Sequence, residues 1–185
     1  MASTDQVSTP AAILREGGVF WITGLAESGK TTVSKILARQ IRSHGIRPVL
    51  LDGNIVREVI GETRSFDRES RRRMAYTYAR FSRMLASQGQ VVICATISLF
   101  HDVHKWNREN IERYYEVFLD VPLEELKKRD SKGVYSESDD KDIVGIGVEP
   151  EFPESPDLEI ANFSDVDPDA AASRILDECL TGAAR

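Results

Sequence analysis

The sequence predicts an α/β fold of three layers, a parallel sheet covered by helices on both faces, and two observations carry that prediction. Short apolar runs alternate along the chain with segments of helical periodicity, the order that places helices over a parallel sheet. The run at 90–97 is almost continuously apolar, as expected of a strand buried on both faces. At 185 residues, 41% hydrophobic and 29% charged, the chain has the length and composition of one globular domain.

Residues 1–17 are small and polar, with Pro10 near the middle, and read as a disordered lead-in; residues 18–185 read as a single domain. Val19 to Ile22 makes a first buried strand, ended by Thr23-Gly24. Lys30 to His44 carries Val33, Ile36, Leu37 and Ile41 at helical spacing, and Gly45 supplies the stop. Pro48 to Leu51 is a second strand, ended by Asp52-Gly53. Arg68 to Gln88 predicts a long amphipathic helix with Met74, Tyr78, Phe81 and Leu85 on one stripe. A strand at 90–97, a helix at 102–114, a strand at 115–121 and a short helix at 122–129 follow. Residues 130–156, punctuated by Gly133, Gly145, Gly147, Pro150, Pro153 and Pro156, are too many for a simple connector and read as functional. Leu158 to Ala161 is the last strand and Pro168 to Leu180 the closing helix.

Composition removes several classes of function. No run reaches the roughly 20 apolar residues of a membrane helix, and the first ten residues lack the apolar core of a secretory signal, so a cytoplasmic location is expected. The two cysteines, Cys94 and Cys179, have no metal-ligand spacing, and Cys94 sits in an apolar run as core packing. A net charge of −6 argues against nucleic acid as the main partner, because that binding needs phosphate neutralisation.

Gly24-Leu25-Ala26-Glu27-Ser28-Gly29-Lys30-Thr31 lies between a predicted strand and a predicted helix, the context in which a GxxxxGKT run is persuasive. The glycines let main-chain N–H groups turn around phosphate oxygens, and the helix N-terminus adds a favourable dipole. Lys30 reaches the β/γ oxygens and Thr31 offers its hydroxyl to Mg²⁺. The expected ligands are therefore ATP and Mg²⁺. Gly24, Glu27, Ser28, Gly29, Lys30, Thr31 and Thr32 form this cradle, although Thr32 suits a helix position better than a metal ligand. Glu27 is unusual, since a carboxylate beside a triphosphate repels it unless it points outward. The guanine-reading Asn/Thr-Lys-x-Asp run of GTPases is missing, and the third strand ends without an acid. The acid instead follows the second strand, where Asp52 at the carboxyl edge of the sheet can hold Mg²⁺ or orient an acceptor hydroxyl. A plain Asp-Gly turn is the alternative.

With these residues the chain resembles the adenylylsulfate kinases, which phosphorylate the ribose 3′-hydroxyl of adenosine 5′-phosphosulfate. The resemblance runs from about Gly18 to Ile160. It rests on Trp21-Ile22-Thr23-Gly24-Leu25, Asp52-Gly53-x-x-Val56-Arg57, Phe66-Asp67-Arg68, Ile97-Ser98 and Glu116 to Glu124. The most diagnostic run is Arg129-Asp130-Ser131-Lys132-Gly133-Val134-Tyr135. It implies a P-loop kinase that passes the γ-phosphate of ATP to a small nucleotide acceptor, commonly as a homodimer. A lid of about 130–156 would close over ATP and exclude water, with Arg129 and Lys132 on the phosphates; exposed lid charges are the alternative. Arg57, Arg68 and Arg73 suit an anionic acceptor, while Arg64, Arg71, Arg72, Arg80 and Arg83 read as a solvated helix face. Phe66 either stacks on a base or packs in the core. Ile97 and Ser98 sit at the acceptor side, with Ser98 bonding the acceptor or capping a helix. His101 and His104 could touch an acceptor or each other, and Trp106 reads as packing.

Four departures from the family pattern are visible. Asn54 stands where the family's second acid serves as catalytic base, and an amide cannot accept that proton. Arg71-Arg72-Arg73-Met74 replaces Asn-Ile-Arg-Arg, Leu99-Phe100-His101 replaces Pro-Tyr-Arg, and Gly147 replaces a late acid. The run from Ile97 through Lys105-Trp106-Asn107-Arg108 to Asn110 looks more like a subgroup tied to surface-polysaccharide synthesis, one activity of which is phosphorylation of cytidine diphosphoramidate. A protein that binds nucleotide without catalysis is the reading of another class, motivated by Asn54 and Glu27.

Overall fold

A computed structural model describes residues 10–61, 67–131, 133–136, 143–164 and 166–182. The chain order is α1 (Pro10–Arg15), β1 (Gly18–Thr23), α2 (Lys30–Ser43), β2 (Val49–Asp52), α3 (Gly53–Val59), α4 (Arg68–Ala86), β3 (Val91–Ala95) and α5 (His101–Asn110). It continues with β4 (Tyr114–Asp120), α6 (Leu123–Arg129), β5 (Leu158–Ala161) and α7 (Pro168–Gly182). The five strands form one parallel sheet in the order β2-β3-β1-β4-β5. Trp21 of β1 lies beside Cys94 of β3 on one side and Glu116 of β4 on the other.

Alternation along each strand sends its side chains to two separate cores. Phe20 and Ile22 join Val33, Leu37 and Ile41 of α2 and Ile175 of α7 on one face. Val19 and Trp21 join Met74, Ala75 and Tyr78 of α4 and Val103 of α5 on the other. Both faces are covered, as the near-continuous apolar strands require. A third, smaller cluster at the carboxyl edge joins Leu25, Leu99, Phe118, Leu126 and Val144. It ties the loop after β1 to α6 and to the turn at 143–148.

The differences from expectation have local causes. Pro10–Arg15 is a helix rather than part of a disordered lead-in, because Leu14 is buried in the α2/α7 core. The helix α3 carries no buried residue and so no apolar stripe to read; it starts because the Asp52 carboxylate accepts the Asn54 N–H at 3.0 Å. Such a cap contributes about 1 kcal/mol. On α4 the buried stripe is Ser70, Met74, Ala75, Tyr78, Ala79 and Ser82, whereas Phe81 is 38% exposed. The helix α5 ends at Asn110 rather than 114, since Ile111 turns extended and Tyr114 already pairs with β1. Cys94 is buried, as expected. Among the described residues no helix is long and apolar enough to cross a membrane.

Candidate active site

The carboxyl edge of the sheet opens into a cleft of about 1020 Å³. Its floor is the loop between β1 and α2, whose shape depends on two glycines. Gly24 has φ 149°, and a Cβ there would stand 2.7 Å from the Leu119 carbonyl oxygen. Gly29 has φ 91°, and its Cβ would meet Asn162 Nδ2 at 2.6 Å. At Gly24 the clash is with strand backbone, and at Gly29 it is with the hydrogen-bonded Asn162 side chain at a φ that side chains rarely adopt, so glycine suits both positions. Asn162, just beyond β5, also donates to the Ser28 carbonyl at 2.7 Å and locks the loop from behind. Ser28 and Gly24 shape the loop without lining the cleft, while Glu27, Gly29, Lys30, Thr31 and Thr32 do line it.

Lys30 folds over this loop, its Nζ 2.5 Å from the Leu25 carbonyl oxygen and 3.3 Å from Ser28 Oγ. Thr31 Oγ1 donates to Asp52 Oδ2 at 2.8 Å, which brings the first helical turn of α2 and the end of β2 together. With Asp52 Oδ1 held by the Asn54 N–H, both oxygens of a largely buried carboxylate are oriented. An alcohol and a carboxylate in contact at a helix N-terminus are the hard oxygen donors that suit Mg²⁺.

Glu27 adopts the left-handed region at φ 57°, and its carboxylate accepts the Ser131 hydroxyl at 3.0 Å. The Tyr135 hydroxyl donates to the Ala26 carbonyl at 3.1 Å, so the root of the 130–156 segment is fastened to the loop at two points. Burial pushes the Asp130 carboxyl up, but the Ser136 hydroxyl and the Tyr135, Val134 and Ser136 N–H groups that donate to it together hold it below the usual carboxylate range. Arg129 lines the cleft with its guanidinium on the Asn162 carbonyl at 2.9 Å. Lys132 and Phe66 lie outside the described residues.

The opposite wall comes from α3, α4 and the loop after β3. Asn54, Arg57, Ile97 and Ser98 line it, as the sequence suggested. Arg68 and Arg73 do not. Arg68 binds the Glu149 carbonyl and the Glu151 carboxylate and lies over the Phe100 ring at 5.3 Å. Arg73 is exposed and turns to Ser70 and Glu69. Arg71, assigned to the solvated face from sequence, lines the cleft instead, two residues and about 200° of helix rotation away from Arg73. Tyr78 and Thr96 also line it and were not foreseen; the Tyr78 hydroxyl donates to the Gly53 carbonyl at 2.8 Å, and burial pushes its pKa up to about 12 against the opposing pull of Arg57.

Ser98 has φ 29°, and its hydroxyl pairs with Thr96 Oγ1 at 2.7 Å. It does not cap α5, whose first N–H group, from His101, goes to the Glu151 carboxylate at 2.6 Å. His104 is buried off the cleft rather than facing an acceptor, and the His101 ring meets the Phe152 carbonyl. Trp106 packs edge-on against Tyr76. Asn162 could have been sought from the rule that ligands gather at strand carboxyl ends, and Arg71 from its place beside the buried Ser70 and Met74.

The family description "Adenylylsulphate kinase" matches residues 16–161. A cytidine diphosphoramidate kinase of Campylobacter jejuni is 38% identical over 147 residues, 78% of this chain and 85% of the relative. An adenylyl-sulfate kinase of Pseudomonas aeruginosa is 32% identical over 179 residues, 94% of this chain and 91% of the relative. Among solved structures, the Mycobacterium tuberculosis APS kinase in complex with AMPPNP and APS superposes with a TM-score of 0.78 at 28% identity, covering 88% of this chain and 96% of that one. The shikimate kinase of Acinetobacter baumannii, at 16% identity and a TM-score of 0.68, shares the fold. With the phosphate loop, the sheet order and this match over most of its length, the chain belongs to the adenylylsulphate kinase family of ATP-dependent kinases.

Proposed function

We propose that this kinase transfers the γ-phosphate of MgATP to a hydroxyl of a small nucleotide acceptor, and that the acceptor is cytidine diphosphoramidate, with adenosine 5′-phosphosulfate the second reading. One observation carries the proposal. The Thr31–Asp52 contact lies on a phosphate loop that opens into the same cleft as Arg57, Arg71 and Ser98, so donor and acceptor groups share one space. The acceptor choice draws on the 38% relative and on the departures at Arg71, Leu99 and Phe100, all of which line the cleft. The adenylyl-sulfate kinases at 32–33% identity support the second reading.

In this mechanism the loop amides and Lys30 hold the phosphate tail and stabilise charge on the transferring group. Mg²⁺ would be held by Thr31 and Asp52 and would supply neutralisation of the phosphate charge. Arg57 and Arg71 grip the anionic part of the acceptor, and Asp52 and Ser98 orient its hydroxyl. The Asn54 amide cannot take the proton; transfer leans on alignment, which a largely dissociative transition state tolerates. Arg129, with Lys132, meets the ATP phosphates as the 130–156 lid of this single domain closes and excludes water. A homodimer is part of the proposal on the family resemblance alone, and a cytoplasmic location on the sequence's lack of a long apolar run and of a secretory-signal core.

The test is steady-state kinetics with ATP, Mg²⁺ and each acceptor in turn. A higher kcat/KM for cytidine diphosphoramidate is expected. A preference for adenosine 5′-phosphosulfate reverses the acceptor order. Binding of MgATP without transfer to either, or to a wider nucleotide panel, leaves a nucleotide-binding protein instead of a kinase.

A further inference from the structure

Ser98 is not glycine, yet its φ of 29° lies in the left-handed region where side chains are strained. The Phe100 N–H closes the turn locally on the Ser98 carbonyl at 3.1 Å, and two further contacts converge on it from behind the cleft. The Thr23 hydroxyl donates to the Ile97 carbonyl from β1. From α5, His104 Nε2 bonds the Ser98 carbonyl at 2.9 Å. A carbonyl only accepts, so Nε2 carries a proton and donates it to Ser98.

The ring in turn has a rigid backing. His104 is 5% exposed, and its Nδ1 stands 3.3 Å from Oε1 of Glu116, a carboxylate in the middle of β4 that is itself 2% exposed. Glu116 is pinned by Arg108 at 2.8 Å and by the Tyr114 hydroxyl at 3.3 Å, while its own N–H donates to Asp157 at 2.7 Å. None of His104, Glu116, Arg108 or Asp157 lines the cleft. His104 and Glu116 are buried while Arg108 and Asp157 are partly exposed, and keeping two ionisable groups out of water beside the turn carries a cost that apolar residues in the same space would not.

We propose that His104 is a positioning residue for the acceptor: through its Nε2–H bond to the Ser98 carbonyl it holds Ser98 in its left-handed conformation and so aims the Thr96–Ser98 hydroxyl pair into the cleft. The inference rests on the acceptor reading above for its kinetic arm, but its structural arm does not.

His104→Leu fills the space with an apolar side chain but removes the imidazole donor, leaving the Ser98 carbonyl with the Phe100 N–H alone. KM for the acceptor, whether cytidine diphosphoramidate or adenosine 5′-phosphosulfate, should rise about tenfold, with KM for ATP within about twofold of the parent. His104→Gln, whose amide N–H can reach the same carbonyl, should recover most of that loss. Glycine takes a left-handed φ without help, so His104→Leu should cost several-fold less in a Ser98→Gly background than in the parent. Parallel rises in both KM values, an unchanged acceptor KM, or glutamine no better than leucine would each overturn the proposal. Should His104→Leu fail to fold, His104→Asn, too short to reach Ser98, takes its place.

If the parent protein phosphorylates neither acceptor, the acceptor reading fails and crystal structures decide the His104 question alone. Residue 98 should leave the left-handed region in the donor-less variant and stay in it with glutamine. A φ that remains near its parent value in both removes His104 from any positioning role.

Discussion

The two ends of the cleft are built on different principles. The phosphate end is one contiguous run, residues 24–31, whose working groups are main-chain amides and whose shape is enforced by two glycines packed against Leu119 and Asn162. The end proposed for the acceptor draws side chains from α3, α4 and the loop after β3, and Arg68 pairs with Glu151 beside it. A main-chain site cannot be retuned without breaking the loop. A side-chain site can be respecified residue by residue on an unchanged backbone. Four departures from the family pattern, Asn54, Arg71, Leu99 and Phe100, lie on α3, α4 and the loop after β3 rather than in the phosphate loop, where Glu27 is the unusual residue.

The largest expected effect therefore belongs to the phosphate end. Lys30→Ala should lower kcat by about 10²–10³-fold, the usual cost of removing one charge-stabilising group from a closed site. The fold should be retained, because Lys30 is only partly buried and contributes nothing to the two cores. The check is single-turnover transfer beside a thermal melt. A loss below about fivefold would mean that this loop is not where the phosphoryl group moves.

The same division explains what could be read from the sequence. The phosphate loop was legible because its groups are consecutive and its flanks, an apolar run and a helical stripe, are local signals. The strands were legible to within a residue or two for the same reason, and the parallel sheet followed from them. Helix α3 was not, because its only signal is the Asp52 cap on Asn54, which looks like an ordinary Asp-Gly turn. Neither was α1, whose six residues gain their helix by docking Leu14 against a core made of chain far away. Arg71 and Arg73 show the limit most clearly. Three consecutive arginines are chemically alike, and only the phase of α4, set by Ser70, Ala75 and Ala79 as much as by Met74 and Tyr78, decides which one meets the cleft.

That phase gives the next prediction. Arg71→Ala should raise the acceptor KM about tenfold, the size of a charge-assisted hydrogen bond of about 1.5 kcal/mol, without moving the ATP KM. Arg73→Ala should leave both within about twofold, since its guanidinium faces Ser70 and Glu69. Equal losses from the two would show that the acceptor reaches around the helix. Asn54→Asp acts in the opposite direction. It supplies a carboxylate on the cleft wall two residues from Asp52, and a gain in kcat of about tenfold is expected, at the low end for a restored general base. An unchanged rate would remove position 54 from the proton transfer.

The smallest effect sharpens the comparison at its boundary, where a side chain intrudes on the main-chain site. Glu27 lines the cleft from within the phosphate loop, and its carboxylate is turned toward Ser131 at the root of the lid. That orientation reduces its repulsion of a triphosphate without removing it, because charges in a wet cleft a few ångströms apart still interact by about 1 kcal/mol or less. Glu27→Gln keeps the length and an acceptor for the Ser131 hydroxyl while removing the charge. MgATP should bind about threefold more tightly to it by calorimetry at low salt. The advantage should shrink at 0.5 M salt, where screening shortens the reach of an exposed charge. A glutamine variant that binds ATP more weakly would reverse the sign of the argument and make the Glu27–Ser131 contact a fastening whose charge the closed lid requires.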